Sequence, residues 1–143
     1  MVSLRPVKYD DFLYVFTLMN DEDVKRTSIN KNGVSFTWLS DTWITILNSN
    51  AFFIIEADDK PVGILSTLND IITISINSSH RGMGYGSDAI RQVICSDKQF
   101  LISIDESNIK SKNFFSKLGF TYSFDTVENG ISFNWYRSPI KEG

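Results

Sequence analysis

The sequence is short of the residues from which many reactive centres are built. It has one cysteine, Cys95, and one histidine, His80, among 143 residues. An intrachain disulfide needs two thiols, and a cysteine-rich zinc site needs more. Metal centres with several histidine ligands are excluded as well, so no metal is expected. A histidine triad would have a single imidazole to draw on. No apolar run approaches the ~20 residues of a membrane span. The opening stretch Met1 to Asp11 carries charges and no apolar core, so neither a secretory leader nor a transit peptide is expected. An excess of positive charge is also missing. The formal net charge is −3, the wrong sign for a general nucleic-acid binder. These absences lead to the expectation of a cytoplasmic protein with neither nucleic-acid nor membrane partners. A monomer or a homodimer is expected.

What is present is an ordinary globular composition, 42% apolar and 22% charged, with eleven phenylalanines. A chain of this size folds with about two-thirds of its extended surface buried. No repeat, low-complexity tract or linker interrupts it. Residues 1–60 hold six basic and nine acidic side chains, and residues 61–143 hold eight of each, so no charge boundary divides the chain. One domain over residues 1–143 is expected.

The periodicity predicts a short strand at 2–6. Asp10 or Asp11 is placed to cap a helix with Phe12, Val15, Phe16 and Met19 on one face. Residues 21–34, ending in Asn32-Gly33, read as a loop. Ser35 is placed to cap a helix carrying Phe36, Leu39, Trp43, Ile46 and Leu47. The period then shifts to two, with strands at 51–56, 62–68 and 71–76 forming an antiparallel meander. A helix over 86–96, a strand over 99–104 and a helix over 108–118 closed by Gly119 come next. A final hairpin turns at Asn129-Gly130, a pair suited to a type I′ turn. The order β-α-α-β-β-β-α-β-α-β-β is α+β, with a mixed, mostly antiparallel central sheet and helices on its faces. Cys95, on the apolar side of its helix with Ile90 and Ile94, reads as core.

The most informative stretch joins a strand to a helix through Arg81-Gly82-Met83-Gly84-Tyr85-Gly86-Ser87. Glycines permit positive φ and close approach of a ligand to the backbone. Successive N–H groups at the positive end of the following helix make a diphosphate cradle, with Arg81 adding charge at its rim. A plain glycine-rich turn has the same composition. The spacing excludes the nucleoside-triphosphate P-loop. A dinucleotide fold is a competitor, because Asp105 follows about 20 residues on. However, the glycines are spaced Gly-x-Gly-x-Gly, and a meander precedes them.

A second motif lies further on: Asn108-Ile109-Lys110-Ser111, then Phe115, then Leu118-Gly119-Phe120. Taken with the glycine loop, it resembles the GNAT N-acetyltransferase superfamily. That family shows Arg/Gln-x-x-Gly-x-Gly/Ala at its acetyl-CoA loop and an Asn-x-x-Ala/Ser helix ending in Leu-Gly-Phe. The resemblance covers residues 50–122 in motif and order. It implies an enzyme that moves an acetyl group from acetyl-CoA to a primary amine. Residues 81–87 would bind the CoA pyrophosphate through main-chain amides. Ile74 and Ile76 would offer main-chain groups to the pantetheine arm between splayed parallel strands. Asn108 would hydrogen-bond that arm, and Ser111 and Phe115 would line its channel. Lys110, Lys112 and Lys117 would add positive charge around the polyanion.

The sequence departs from the family at Phe115, where a tyrosine is usually proposed to protonate the leaving thiolate. Tyr122, Tyr136 and Tyr85 are substitute acids, and Glu56, Asp70 and His80 are candidate bases. The stretch Asp21 to Arg26, followed by a helix with Trp38 and Trp43, resembles the subgroup that acetylates nucleotide-linked amino-deoxy sugars, as in pseudaminic acid biosynthesis. In that reading Trp43 stacks on the acceptor and Arg26 pairs with its phosphate. A protein N-terminus is the alternative acceptor. A catalytically silent acyl-CoA-binding module is the alternative outside enzymes.

Overall fold

In a computed structural model of the chain, residues 1–27, 32–95 and 97–140 are described. Residues 28–31 of the expected loop and the expected helix end Ser96 lie outside them. The elements are β1 (Ser3–Pro6), α1 (Phe12–Met19), α2 (Glu22–Thr27), α3 (Phe36–Asn48), β2 (Phe52–Ala57), β3 (Lys60–Ser66), β4 (Thr73–Ile76), α4 (Tyr85–Ile94), β5 (Leu101–Asp105), α5 (Ile109–Lys117), β6 (Thr121–Glu128) and β7 (Ile131–Arg137). The α+β reading holds, with one correction. The polar segment expected to be a loop contains α2. Its cap is Asp21, whose carboxylate accepts the N–H of Asp23 at 2.9 Å and of Val24 at 3.3 Å.

Strands β1 to β4 form one antiparallel sheet in chain order, and β5-β7-β6 form a second. The β2–β3 turn uses Asp58 and Asp59, both with positive φ, as a type I′ turn requires. Ser35 caps α3 as expected, its Oγ accepting Trp38 N–H at 3.0 Å. Asp11 does not cap α1. Its carboxylate grips the Arg5 guanidinium at 2.8 and 2.9 Å and accepts the Lys8 N–H at 2.7 Å.

The four-stranded sheet is covered on both sides. On one face, Ile55, Val62 and Leu65 pack with Ile90 of α4, Ile102 and Ile104 of β5, and Phe115 of α5. On the other, Ile54 and Ile64 pack under Val15 and Leu18 of α1, Val24 of α2, and Leu39, Trp43 and Ile46 of α3. Cys95 is a correction: α4 stops at Ile94, so the thiol falls past the helix end and is exposed. Among the described residues, no helix is long and apolar enough to cross a membrane.

The join between the two sheets creates the site. Ile71 bridges Leu101 in parallel, and the Ile72 N–H donates to Leu101 O at 2.8 Å. Beyond that point β4 pairs with β3 and β5 pairs with β7. The strands therefore start together and part, leaving a V between them. Parallel neighbours need a crossover, and α4 provides it.

Candidate active site

The V opens into a cleft of about 690 Å³ walled by β4, β5, the loop after β4, and α5. Strand alternation gives the walls two characters. Ile74 and Ile76 point toward α4, where both would lie within 4 Å of a Cβ placed on Gly86. Ile102 and Ile104 point the same way, into the core. Thr73 and Ser75 on β4 and Ser103 and Asp105 on β5 therefore line the opposite side. That side is polar and, among the described residues, holds one carboxylate. Asp105 Oδ1 accepts the Ser107 N–H at 3.0 Å and the Ser107 hydroxyl at 2.8 Å.

The glycine loop has the geometry of an anion cradle. Gly82 and Gly84 both have φ of +79°, and a Cβ at either would project into open space. Gly84 occupies the cap position of α4, and no side chain caps that helix. The first bond there runs from the Asp88 N–H to Gly84 O at 3.1 Å, so the preceding amides stand ahead of the helical ladder. Those amides and the helix dipole favour an anion. Arg81 is steadied by a bond from its Nε to Ile76 O at 3.3 Å. The helix itself is moored to Val2, just before β1. Asp88 accepts the Val2 N–H at 2.7 Å, and the Gln92 amide donates to Val2 O at 2.7 Å.

Helix α5 presents its first turn to the cleft. Asn108 caps it, with Oδ1 accepting the Ser111 N–H at 3.1 Å. The cap occupies an oxygen of Asn108 and none of its amide protons, so a donor remains for a bound ligand.

The residues proposed for the cofactor converge. Ile74, Ile76, Arg81, Gly82, Gly84, Tyr85, Gly86, Ser87, Asn108, Ser111 and Phe115 all line the cleft. Met83 does not; it projects outward, 59% exposed. Of the lysines, Lys110 lines the cleft and Lys112 and Lys117 do not.

The residues proposed for catalysis and acceptor recognition do not converge. Glu56 lies on β2, separated from β4 by β3, and its carboxylate meets Arg5 Nε at 3.1 Å. Tyr122 and Tyr136 face each other across the β6–β7 pair, off the cleft, with Tyr122 54% exposed. The neighbouring Asp125 holds the Tyr122 phenol above its ordinary pKa, which makes it a poorer proton donor. Trp43 is 4% exposed; its ring meets Phe12 edge-on and its Nε1 donates to Tyr9 O at 3.2 Å. It is a core residue because its neighbours at helical spacing, Leu39 and Ile46, are buried on the same face. Arg26 pairs with Asp23 at 3.0 Å on the outer side of α2. Asp70 pairs with Lys98 at 2.9 Å outside the cleft. His80 does line the cleft, its Nδ1 lying 3.2 Å from Ser79 Oγ.

The polar side of the V was missed at the level of sequence. Thr73, Ser75 and Ser103 alternate with isoleucines, and that alternation was the available signal. Val24 also lines the cleft and is its one described wall residue from the chain before Ile72. Nothing in its own sequence context marks it.

The comparisons agree with this geometry. Residues 15–120 match the sequence model of the acetyltransferase (GNAT) family. A spermidine N(1)-acetyltransferase of Escherichia coli (strain K12) is 26% identical over 156 aligned positions, spanning 98% of this chain and 83% of the relative. A spermidine N-acetyltransferase from Vibrio cholerae, solved with CoA and spermine, superposes with a TM-score of 0.80 at 18% identity over 95% of this chain and 94% of that one. The microcin C7 self-immunity acetyltransferase, solved with acetyl-CoA and AMP, gives 0.75 at 19% identity over 97% and 92%. With the matched region running through the glycine loop and the Asn108 helix that together form the cleft, the chain belongs to the acetyltransferase (GNAT) family and is an acetyl-CoA-dependent N-acetyltransferase.

Proposed function

We propose that the acceptor is a small aliphatic polyamine, bound on the polar side of the V and acetylated on a primary amine. The observation that carries this is the division of charge across the cleft. Arg81 and Lys110 are its cations among the described residues, and they belong to the loop and to α5. The opposite side offers the Asp105 carboxylate and the hydroxyls of Thr73, Ser75 and Ser103. Carboxylates and hydroxyls suit an ammonium chain, whereas a nucleotide diphosphate needs cations there. The two residues that supported a nucleotide-linked amino sugar lie elsewhere: Trp43 is in the core and Arg26 is off the cleft. The spermidine acetyltransferase relatives support the same acceptor class.

In this reading the loop amides and Arg81 hold the CoA diphosphate. The main chain of Ile74 and Ile76 and the amide of Asn108 hold the pantetheine. The attacking amine must be neutral, and Asp105 is placed to accept its proton, directly or through a water. Phe115 has no proton to donate, so the thiolate takes its proton from solvent or from Tyr85, the one substitute acid that lines the cleft among the described residues.

The test is an acetyl-CoA assay against spermidine and spermine, a nucleotide-linked 4-amino-4,6-dideoxy sugar and a peptide with a free N-terminus. Polyamines are expected to give the highest kcat/KM. A preference for the nucleotide sugar or the peptide would overturn the proposal.

A further inference from the structure

Helix α2 reaches the cleft through Val24, and polar fasteners hold it there. The first is at its base. Asn20 donates from its amide to Phe16 O at 2.9 Å and to Val34 O at 3.1 Å, and its Oδ1 accepts the Val34 N–H at 3.2 Å. The clasp holds Asn20, at the end of α1, to Val34, just before α3. It also explains Gly33, where a Cβ would stand 2.1 Å from Asn20 Oδ1. The second fastener joins α2 to the cofactor side. The capping carboxylate of Asp21 accepts, on its other oxygen, the hydroxyl of Ser78.

Ser78 is not in the cleft wall. It sits between β4 and the glycine loop, in the turn where the His80 N–H donates to Asn77 O at 2.9 Å and the Arg81 N–H donates to Ser78 O at 3.4 Å. Its neighbour Asn77 accepts the Tyr14 hydroxyl from α1. The segment leading into the cofactor loop is therefore tied at two consecutive residues to the helices that cover the acceptor side.

We infer that Ser78 is a positioning residue: its bond to Asp21 couples the cofactor loop to α2, the helix whose Val24 lines the acceptor side. The inference rests on acetyl-CoA binding at the loop and not on the identity of the amine. A ligand held by the glycine loop is then expected, through this bond, to steady the cap of α2 as well, and coupling between two sites runs in both directions.

Hydrogen exchange of the α2 amides, with and without acetyl-CoA, provides the test. In the unmodified protein acetyl-CoA is expected to slow exchange in α2 about fivefold. In Ser78→Ala that slowing should vanish while acetyl-CoA affinity stays within about twofold, and Ser78→Thr, which keeps the hydroxyl, should restore it. Once an amine acceptor is in hand, Ser78→Ala should raise its KM with kcat little changed. Full protection of α2 in Ser78→Ala would show that the cofactor reaches α2 by another route and would overturn the inference. Absence of any α2 protection in the unmodified protein would overturn it too. If Ser78→Ala lowers acetyl-CoA affinity more than tenfold, Ser78 is a binding residue and the inference also fails. A protein that acetylates a different amine but keeps this exchange pattern would sink the polyamine proposal alone.

Discussion

The two sides of the cleft differ in what they present, and in the proposed reading each recognises its ligand by its own means. The proposed cofactor side presents backbone: positive-φ glycines, uncapped amides and parted strand edges. The proposed acceptor side presents side chains from α2, β4 and β5. Backbone recognition constrains sequence tightly, because few residues tolerate the required φ or leave the required space. Side-chain recognition is built from hydroxyls and carboxylates that look like any solvated surface. The difference can be broken or sharpened by substitution.

The largest expected effect removes Trp43 from the acceptor list altogether. Trp43→Ala should cost about 3–5 kcal/mol of stability in denaturant unfolding, the range for deleting a buried aromatic. Trp43→Phe should recover most of that and leave the amine KM unchanged. A normal unfolding midpoint for Trp43→Ala, coupled to lost amine binding, would return the residue to the acceptor site.

On the other side, Gly84→Val should abolish cofactor binding with the fold retained. A branched residue at φ of +79° is strained by roughly 1–2 kcal/mol, and its side chain projects into the space the phosphates would use. A loss of at least about a hundredfold in calorimetric CoA affinity is expected, equivalent to ~2.7 kcal/mol. Unchanged affinity would mean the cradle is elsewhere.

The Asn108 variants separate structure from recognition within one side chain. Asn108→Ala removes the α5 cap and the free amide together. It should lower stability by about 1 kcal/mol and CoA affinity by roughly 1–2 kcal/mol. Asn108→Asp keeps the capping oxygen and loses the donor, so stability should return and affinity should not. If Asn108→Asp binds CoA normally, the residue serves only as a cap.

These contrasts also show how much could be read in the chain. The β2–β3–β4 meander, the loop and the Asn108 helix were legible because turn chemistry and glycine spacing act locally. Eleven of the twelve residues assigned to the cofactor line the cleft, and Met83, the exception, is an interglycine residue whose side chain points away. Helix α2 was not legible. Its six residues, Glu22 to Thr27, carry one described buried apolar side chain, Val24, too few for periodicity to register. Nor was the role of Glu56. A carboxylate interrupting an apolar strand signals a partner, but only the fold shows Arg5 beside it.

A smaller effect concerns the leaving group. Phe115 is 8% exposed and packs against Phe114 and Phe120 with ring centroids 5.0 and 5.3 Å away. Phe115→Tyr adds a phenol in the cleft wall, and kcat should rise several-fold if thiolate protonation limits turnover. No change in kcat would show that the step is not acid-limited.

The smallest effect is expected at Glu56, and it bears on the boundary between the two sides. Arg5 bridges Asp11 and Glu56 at 2.8 and 3.1 Å, far along the sheet from the V. Its hydrogen bonds hold the Asp11 carboxyl below the ordinary carboxylate range. A depressed pKa of this kind stabilises the fold above the ordinary carboxylate value, and the contribution is lost as pH falls through the folded value. Glu56→Gln should therefore leave kcat within about twofold, since no proton moves through it. It should also keep the acid-side fall in melting temperature that Asp11 contributes, whereas Asp11→Asn should flatten that fall. A drop in kcat of orders of magnitude in Glu56→Gln, with the acid limb intact, would make Glu56 the base and move the reaction centre away from the parted strands.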